Sequence, residues 1–208
     1  MSRFARTAVI VAGMLLAGAC SQASANDELR VPAPKVDVPP ARGVQTAVLA
    51  GGCFWGVEGI FEHVKGVRDV TSGFAGGDKT TKPAEAVRIH YDPRQVSYGT
   101  LLRIYFAVTT DPTQLNRQGP DSGPGYRSAI FPQNAAQART ARAYLAQLAE
   151  ARVWKDPIVT RIEHGPFTIA EAGHQDFMRR NPVHPYILMW DRPKLAALKR
   201  QFPEDYRS

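Results

Sequence analysis

The sequence predicts an α+β fold: a two-layer sandwich with helices over one face of a sheet, a split βαβ core and a mostly irregular C-terminal extension. Three observations predict it. Between residues 45 and 131 strand-like and helix-like hydrophobic periods follow one another in the order β-α-β-β-α-β. Apolar residues make up 44% of the chain and charged residues 22%, the proportions of an ordinary globular domain. The length, 208 residues, allows one domain with its own core plus terminal segments, without disulfides to hold it together.

Residues 1–25 read as an export signal. Arg3 and Arg6 precede an apolar stretch from Ala8 to Ala19 that is too short to span a bilayer, and small residues follow. Ala17-Gly18-Ala19-Cys20 fits lipoprotein processing, with Cys20 as the lipidation candidate, and Ala23-Ser24-Ala25 fits ordinary cleavage. Both predict an exported protein, either periplasmic or a membrane-anchored lipoprotein. Losing Arg3 and Arg6 lowers the formal charge from +7 to +5. With no basic run or basic-aromatic array, a nucleic-acid partner is not expected. Residues 26–44, with Pro32, Pro34, Pro39 and Pro40, read as an extended linker, and residues 45–208 as the folded domain.

Within that domain, Thr46 to Ala50 is a short apolar strand and Gly51-Gly52 a sharp turn. Phe54, Val57, Phe61 and Val64 recur at helical spacing before Gly66. Val67 to Phe74 is a strand closing on Gly76-Gly77; Val87, Ile89 and Tyr91 alternate with Arg88 and His90 until Asp92-Pro93 stops them. Ser97 caps a helix carrying Leu101, Ile104, Tyr105 and Val108, and Tyr126 to Phe131 returns as a strand. This order is that of the split βαβ, or ferredoxin-like, arrangement. Asn134 opens a further helix with Ala138, Ala141, Leu145 and Leu148 on one stripe, and Ile158 to Glu163 reads as a strand. From Asn181 on, four prolines predict a segment that wraps around the domain.

The chemistry centres on Cys53. Of the two cysteines, Cys20 is either cleaved away with the signal or blocked by lipid, so Cys53 is left as a lone thiol. It follows two glycines at a strand-to-helix junction, where a helix N-terminus favours the thiolate; the plain alternative is a small buried hydrophobe. Trp55 lies off the helix's apolar stripe, which suggests an exposed indole forming a binding wall, while Phe54 lies on the stripe and fits a core role or a site role equally. Glu85 shares strand parity with Val87, Ile89 and Tyr91. That places its carboxyl either on the apolar face, where burial raises its pKa and lets it donate a hydrogen bond, or at a solvated strand end. His63, His90, His164, His174 and His184 show no metal-ligand spacing and no motif that places a base beside Cys53, so no metal is expected.

The runs Gly51-Gly52-Cys53-Phe54-Trp55-Gly56-Val57-Glu58, Ser72-Gly73-Phe74-Ala75-Gly76-Gly77, Ala84-Glu85-Ala86-Val87, Tyr91-Asp92-Pro93, Asp111-Pro112-Thr113-Gln114, Asn116-Arg117-Gln118-Gly119, Tyr126-Arg127-Ser128-Ala129-Ile130 and His174-Gln175-Asp176 resemble the peptide methionine sulfoxide reductase A family. The resemblance spans roughly residues 45 to 205. It implies that Cys53 is the nucleophile, that Phe54 and Trp55 receive the substrate methyl group, that Glu85 is the acid, that Tyr126 donates a second hydrogen bond to the sulfoxide oxygen, and that Asp121 supports the site. It also implies the S epimer as substrate, free or in oxidised proteins, a Cys53 sulfenic acid intermediate, and no cofactor beyond a thiol reductant. With no second free cysteine, that reductant is expected to be an external thiol such as glutathione or a thioredoxin-like protein.

The chain departs from the family pattern between the Gly-Gly turn and the Ala-Glu pair, where only Asp78 to Pro83 remains and a substrate-contacting tyrosine and a histidine have no equivalent. This keeps open a competing class, a methionine-sulfoxide-binding module with little turnover. Acyl transfer through a thioester lacks a histidine partner. A monomer is expected.

Overall fold

Strands form where alternation is strongest, and their two faces divide the core. In the computed structural model, which describes residues 30–77 and 81–208, the elements in chain order are β1 (Gln45–Gly51), α1 (Phe54–Glu62), β2 (Val67–Ala75), β3 (Ala84–Tyr91), α2 (Tyr98–Ile104), β4 (Arg117–Gln118), β5 (Asp121–Ser122), β6 (Ser128–Phe131), α3 (Ala135–Glu150), β7 (Arg161–Ile162), β8 (Phe167–Ile169), α4 (Phe177–Arg180) and α5 (Arg192–Gln201). Residues 1–29, on which the expected export signal and Cys20 fall, and residues 78–80 of the short segment lie outside the described residues.

Among the described residues six strands form one sheet in the order β7-β6-β1-β3-β2-β8, antiparallel except for the β6–β7 pair. Because side chains alternate along each strand, Leu49, Val87, Ile89 and Tyr91 join Val57, Phe61, Leu101 and Ile104 of the helices in the main core. The opposite face carries Val48, Ala50, Ala75, Ala84, Ala86, Ala129 and Phe131, a thin cluster with Phe167 packed on it. The class is α+β, with the helical layer and the candidate site on the same side.

The caps are where local chemistry requires them. Ser97 Oγ accepts the Thr100 N–H at 3.0 Å and Asn134 Oδ1 accepts the Gln137 N–H at 2.9 Å, each satisfying a helix-start donor. The α2 helix continues as one π turn, Tyr105–Thr109, where Thr109 Oγ1 donates to the Tyr105 carbonyl at 2.6 Å.

Several expectations are corrected. The C-terminal extension is not mostly irregular: a π turn, Ile187–Asp191, leads into the ten-residue α5. Pro193 does not break that helix because it sits in its first turn, directly after the π turn, where its fixed φ suits the helix. Leu198 on α5 is fully buried. Tyr126 ends a short 3₁₀ turn, Pro124–Tyr126, and the strand begins only at Ser128. The proline-rich segment 26–44 is extended over its described part but is not a free tether. Val31 enters the core, Tyr144 Oη donates to the Pro32 carbonyl at 2.6 Å, and Asp37 Oδ1 accepts the Gly99 N–H at 2.8 Å. Prolines remove backbone donors without removing carbonyls, so the strap docks chiefly through acceptors and apolar stems, with the Lys35 N–H donating to Gln147 Oε1 at 2.8 Å.

Candidate active site

The site starts from the turn after β1. Gly52 has φ +94°, and a Cβ there would lie 2.5 Å from Gln118 Cβ, so both backbone conformation and space demand glycine. Gln118 is fixed in turn: its amide donates to Thr110 Oγ1 at 2.7 Å and to the Asp111 carbonyl at 3.1 Å, and its oxygen accepts the Asp111 N–H at 2.9 Å. Tyr105 Oη donates to the Ala50 carbonyl at 2.7 Å and anchors the end of β1. The turn delivers Cys53 as the N-cap of α1, half-buried and reduced.

Glu85 lies on the helix side of β3. Its Oε2 accepts the Phe54 N–H, the first of the helix, at 3.1 Å. The carboxyl is pushed up to about 7, chiefly by burial, with Asp121 adding repulsion and the Phe54 N–H opposing both. Of the two readings of Glu85, the geometry selects the carboxyl turned to the apolar side. At neutral pH a substantial fraction carries a proton that can be given away.

On another side of the sulfur Tyr186 donates a short hydrogen bond to Asp121 Oδ2. Turned from Asp121 to the sulfur, the same hydroxyl is within hydrogen-bonding reach of Cys53 and, with the backbone N–H of Trp55, acts to lower its pKa. Burial, then Glu85, then Asp191 outweigh these and push the thiol up to about 12. The helix start does favour thiolate, but in the resting site it is outmatched by dehydration and two flanking carboxyls. Tyr126 is near enough to Glu85, Asp121 and Cys53 for each to raise its hydroxyl, with burial the larger cause. Cys53, Glu85, Tyr126 and Asp121 are thus brought together.

The two aromatic wall residues differ from each other. Phe54 is 2% exposed, its ring 5.6 Å from Phe74 and 5.3 Å from His174. Trp55 is half-buried instead of standing as an exposed indole: it stacks on Phe177 at 3.6 Å and donates from Nε1 to His174 Nδ1 at 3.2 Å. The C-terminal segment supplies those partners, which no local pattern around Trp55 announces. Phe74 stands opposite Glu85 in register and stays 37% exposed, so it contributes apolar surface beside the acid.

A cavity of about 180 Å³ adjoins the sulfur, lined by Cys53, Gln114, Gln118, Tyr186, Asp191 and Lys194 among others. Tyr186, Asp191 and Lys194 escaped the sequence reading because they come from the segment dismissed as a wrap. One signal was available: Lys194 precedes Leu198 by four residues, which places a cation on the inward stripe of α5. Among the described residues no group of three His, Cys, Asp or Glu side chains is arranged to hold a metal ion.

This geometry agrees with the sequence comparisons. Residues 45–206 match the family described as peptide methionine sulfoxide reductase. The chain belongs to that family. It is 50% identical to a Mesorhizobium japonicum protein named peptide methionine sulfoxide reductase MsrA 2, over 82% of this chain and 94% of that protein. A Synechocystis protein of the same name is 46% identical over 86% of this chain and 91% of its own length. Among solved structures, methionine sulfoxide reductase A of Corynebacterium diphtheriae superposes with a TM-score of 0.56 at 33% identity, covering 69% of this chain and 78% of that one. The reduced form of Mxr1 from Saccharomyces cerevisiae gives 0.58 at 25% identity, covering 74% and 94%.

Proposed function

We propose that the protein reduces methionine S-sulfoxide, free or in oxidised proteins, to methionine with an external thiol as electron donor, and so repairs oxidative damage. The family membership supports the reaction, and one observation carries the mechanism: Glu85, with a carboxyl near 7, is hydrogen-bonded to the first N–H of the helix capped by Cys53. The Cys53 thiolate attacks the sulfoxide sulfur while Glu85 gives its proton to the sulfoxide oxygen. Oxygen passes to Cys53, methionine leaves, and Cys53 becomes a sulfenic acid. Tyr126 donates a second hydrogen bond to that oxygen, and Asp121 holds Tyr186 toward the sulfur. Phe54 and Trp55, with Phe74, form the apolar surface that receives the methyl group.

Recycling consumes two external thiols. The first displaces water from the sulfenic acid and forms a mixed disulfide; the second releases Cys53 and leaves as the disulfide of the reductant. Glutathione and a thioredoxin-like protein both satisfy this chemistry. We also read the β6-β1-β3-β2 order as the split βαβ arrangement, and the protein as an exported monomer, either anchored through Cys20 or released after Ala25. No observation favours the binding-module alternative. The test is turnover with glutathione and the two separated sulfoxide epimers. The S epimer should be converted to methionine and the R epimer left; binding of the S epimer without methionine release would refute the reading. N-terminal sequencing of the native protein tests export, and a chain still beginning at Met1 or Ser2 would refute it.

A further inference from the structure

Carboxyls around Cys53 disfavour its thiolate. Glu85 on β3, Asp121 on β5 and Asp191 at the end of the π turn all act on the neighbourhood of the sulfur, together with the hydroxyls of Tyr126 and Tyr186. Asp191 is 2% exposed, and among the described residues its Oδ2 has no hydrogen-bond partner. Its other oxygen lies against the first turn of α1, where a Cβ on Gly56 would come 2.1 Å from Oδ1. Among the residues that line the cavity, the positive charge is that of Lys194.

Lys194 follows Asp191 by three residues, a spacing that turns both toward the same side across the start of α5. Its stem remains partly exposed, while Nζ donates to the carbonyl of the fully buried Thr109 at 3.0 Å. One of three ammonium hydrogens is used there, which leaves two for the cavity. We propose that Lys194 is a positioning residue for the reaction: its ammonium, fixed on the Thr109 carbonyl and facing the Cys53 cavity, is the countercharge that stabilises the Cys53 thiolate. The electrostatics of the group agree. Burial lowers the Lys194 pKa, and Asp191, Cys53 and Asp121 oppose that shift.

This inference rests on Cys53 being the reactive thiol. The readout is the rate of Cys53 alkylation by iodoacetamide at about pH 7 to 9, where the rate follows the thiolate fraction, read by mass on the full chain without turnover. In Lys194→Met the rate should fall about tenfold, while Lys194→Arg stays within about threefold of wild type. A folded Lys194→Met that alkylates at the wild-type rate, or an Arg variant slowed as far as Met, would overturn the proposal. Should Lys194→Met fail to fold, Lys194→Gln decides: it should be slowed as far, and a wild-type rate overturns the proposal. Failure of sulfoxide reduction in a wild-type chain that alkylates as described would count against the proposed function and not against this assignment.

Discussion

Glu85 Oε2 accepts the Phe54 N–H at 3.1 Å, so the proton donor is tied to the helix turn that carries the nucleophile. The acid and the thiol cannot separate without breaking that bond. A carboxyl that caps a helix N-terminus is normally held ionised. Here burial and Asp121 win, and the group is poised near neutrality.

Replacing Glu85 with Gln keeps a hydrogen-bonding amide and removes the proton. The single-turnover rate of methionine formation should fall about 100-fold or more, with sulfoxide affinity little changed. The donating form of Glu85 exists below its pKa, so the wild-type acid step should weaken as pH rises through about 7, and that inflection should vanish in the variant. Rapid-quench kinetics between pH 5.5 and pH 8.5 checks both; about these limits bracket one carboxyl titration.

Tyr186→Phe removes the hydroxyl that joins Asp121 to the sulfur. The rate of Cys53 oxidation by sulfoxide should fall about tenfold, the usual worth of a hydrogen bond to a charged group, with the melting temperature nearly unchanged. An unchanged rate would reduce Tyr186 to a lid residue.

Stability should be greater in mild acid. Glu58, Glu62, Glu85 and Asp191 are each raised to about 7, with burial the first cause in every case. Their folded pKa values exceed the unfolded ones, so the folded state binds more protons between roughly pH 4.5 and pH 7 and unfolding free energy falls as pH rises across that window. Glu58, 1% exposed and with its Oε2 unpartnered among the described residues, is the clearest case. Glu58→Gln should raise the melting temperature at pH 8 by about 5 °C and leave it nearly unchanged at pH 5, as calorimetry would show.

The strap can be tested through Val31, 3% exposed in the core. Val31→Ala should cost about 1 to 2 kcal/mol in urea unfolding without affecting turnover. A loss below a few tenths would mean that residues 31–38 contribute little to the domain.

What could be read from the residues was whatever local pattern encodes. The Gly51-Gly52 turn, Cys53 at the start of α1, the parity that puts Glu85 with Val87 and Ile89, and the Ser97 and Asn134 caps all rest on neighbours within a few positions. Long-range partners were not legible. Trp55 meets Phe177 and His174, and Cys53 meets Tyr186, across more than a hundred residues, and nothing near Trp55 encodes those stacks. The prolines after Asn181 misled for a specific reason: Pro193 breaks a helix interior but suits its first turn, and the sequence alone does not say which position it occupies. The edge strand β8 carries too few alternations to be recognised, and β7, read as Ile158 to Glu163, is confined to Arg161–Ile162.

The central claim is oxygen transfer to Cys53 followed by rescue from outside the chain. The direct measurement is the mass of the protein purified from its native cell after one equivalent of methionine S-sulfoxide without reductant, with released methionine quantified, and again after glutathione is added. One oxygen on Cys53, an equal amount of methionine, and then a single glutathione adduct at Cys53 is the predicted result. An unmodified Cys53 with no methionine formed, or a loss of two hydrogens to a Cys20–Cys53 bridge, would contradict it.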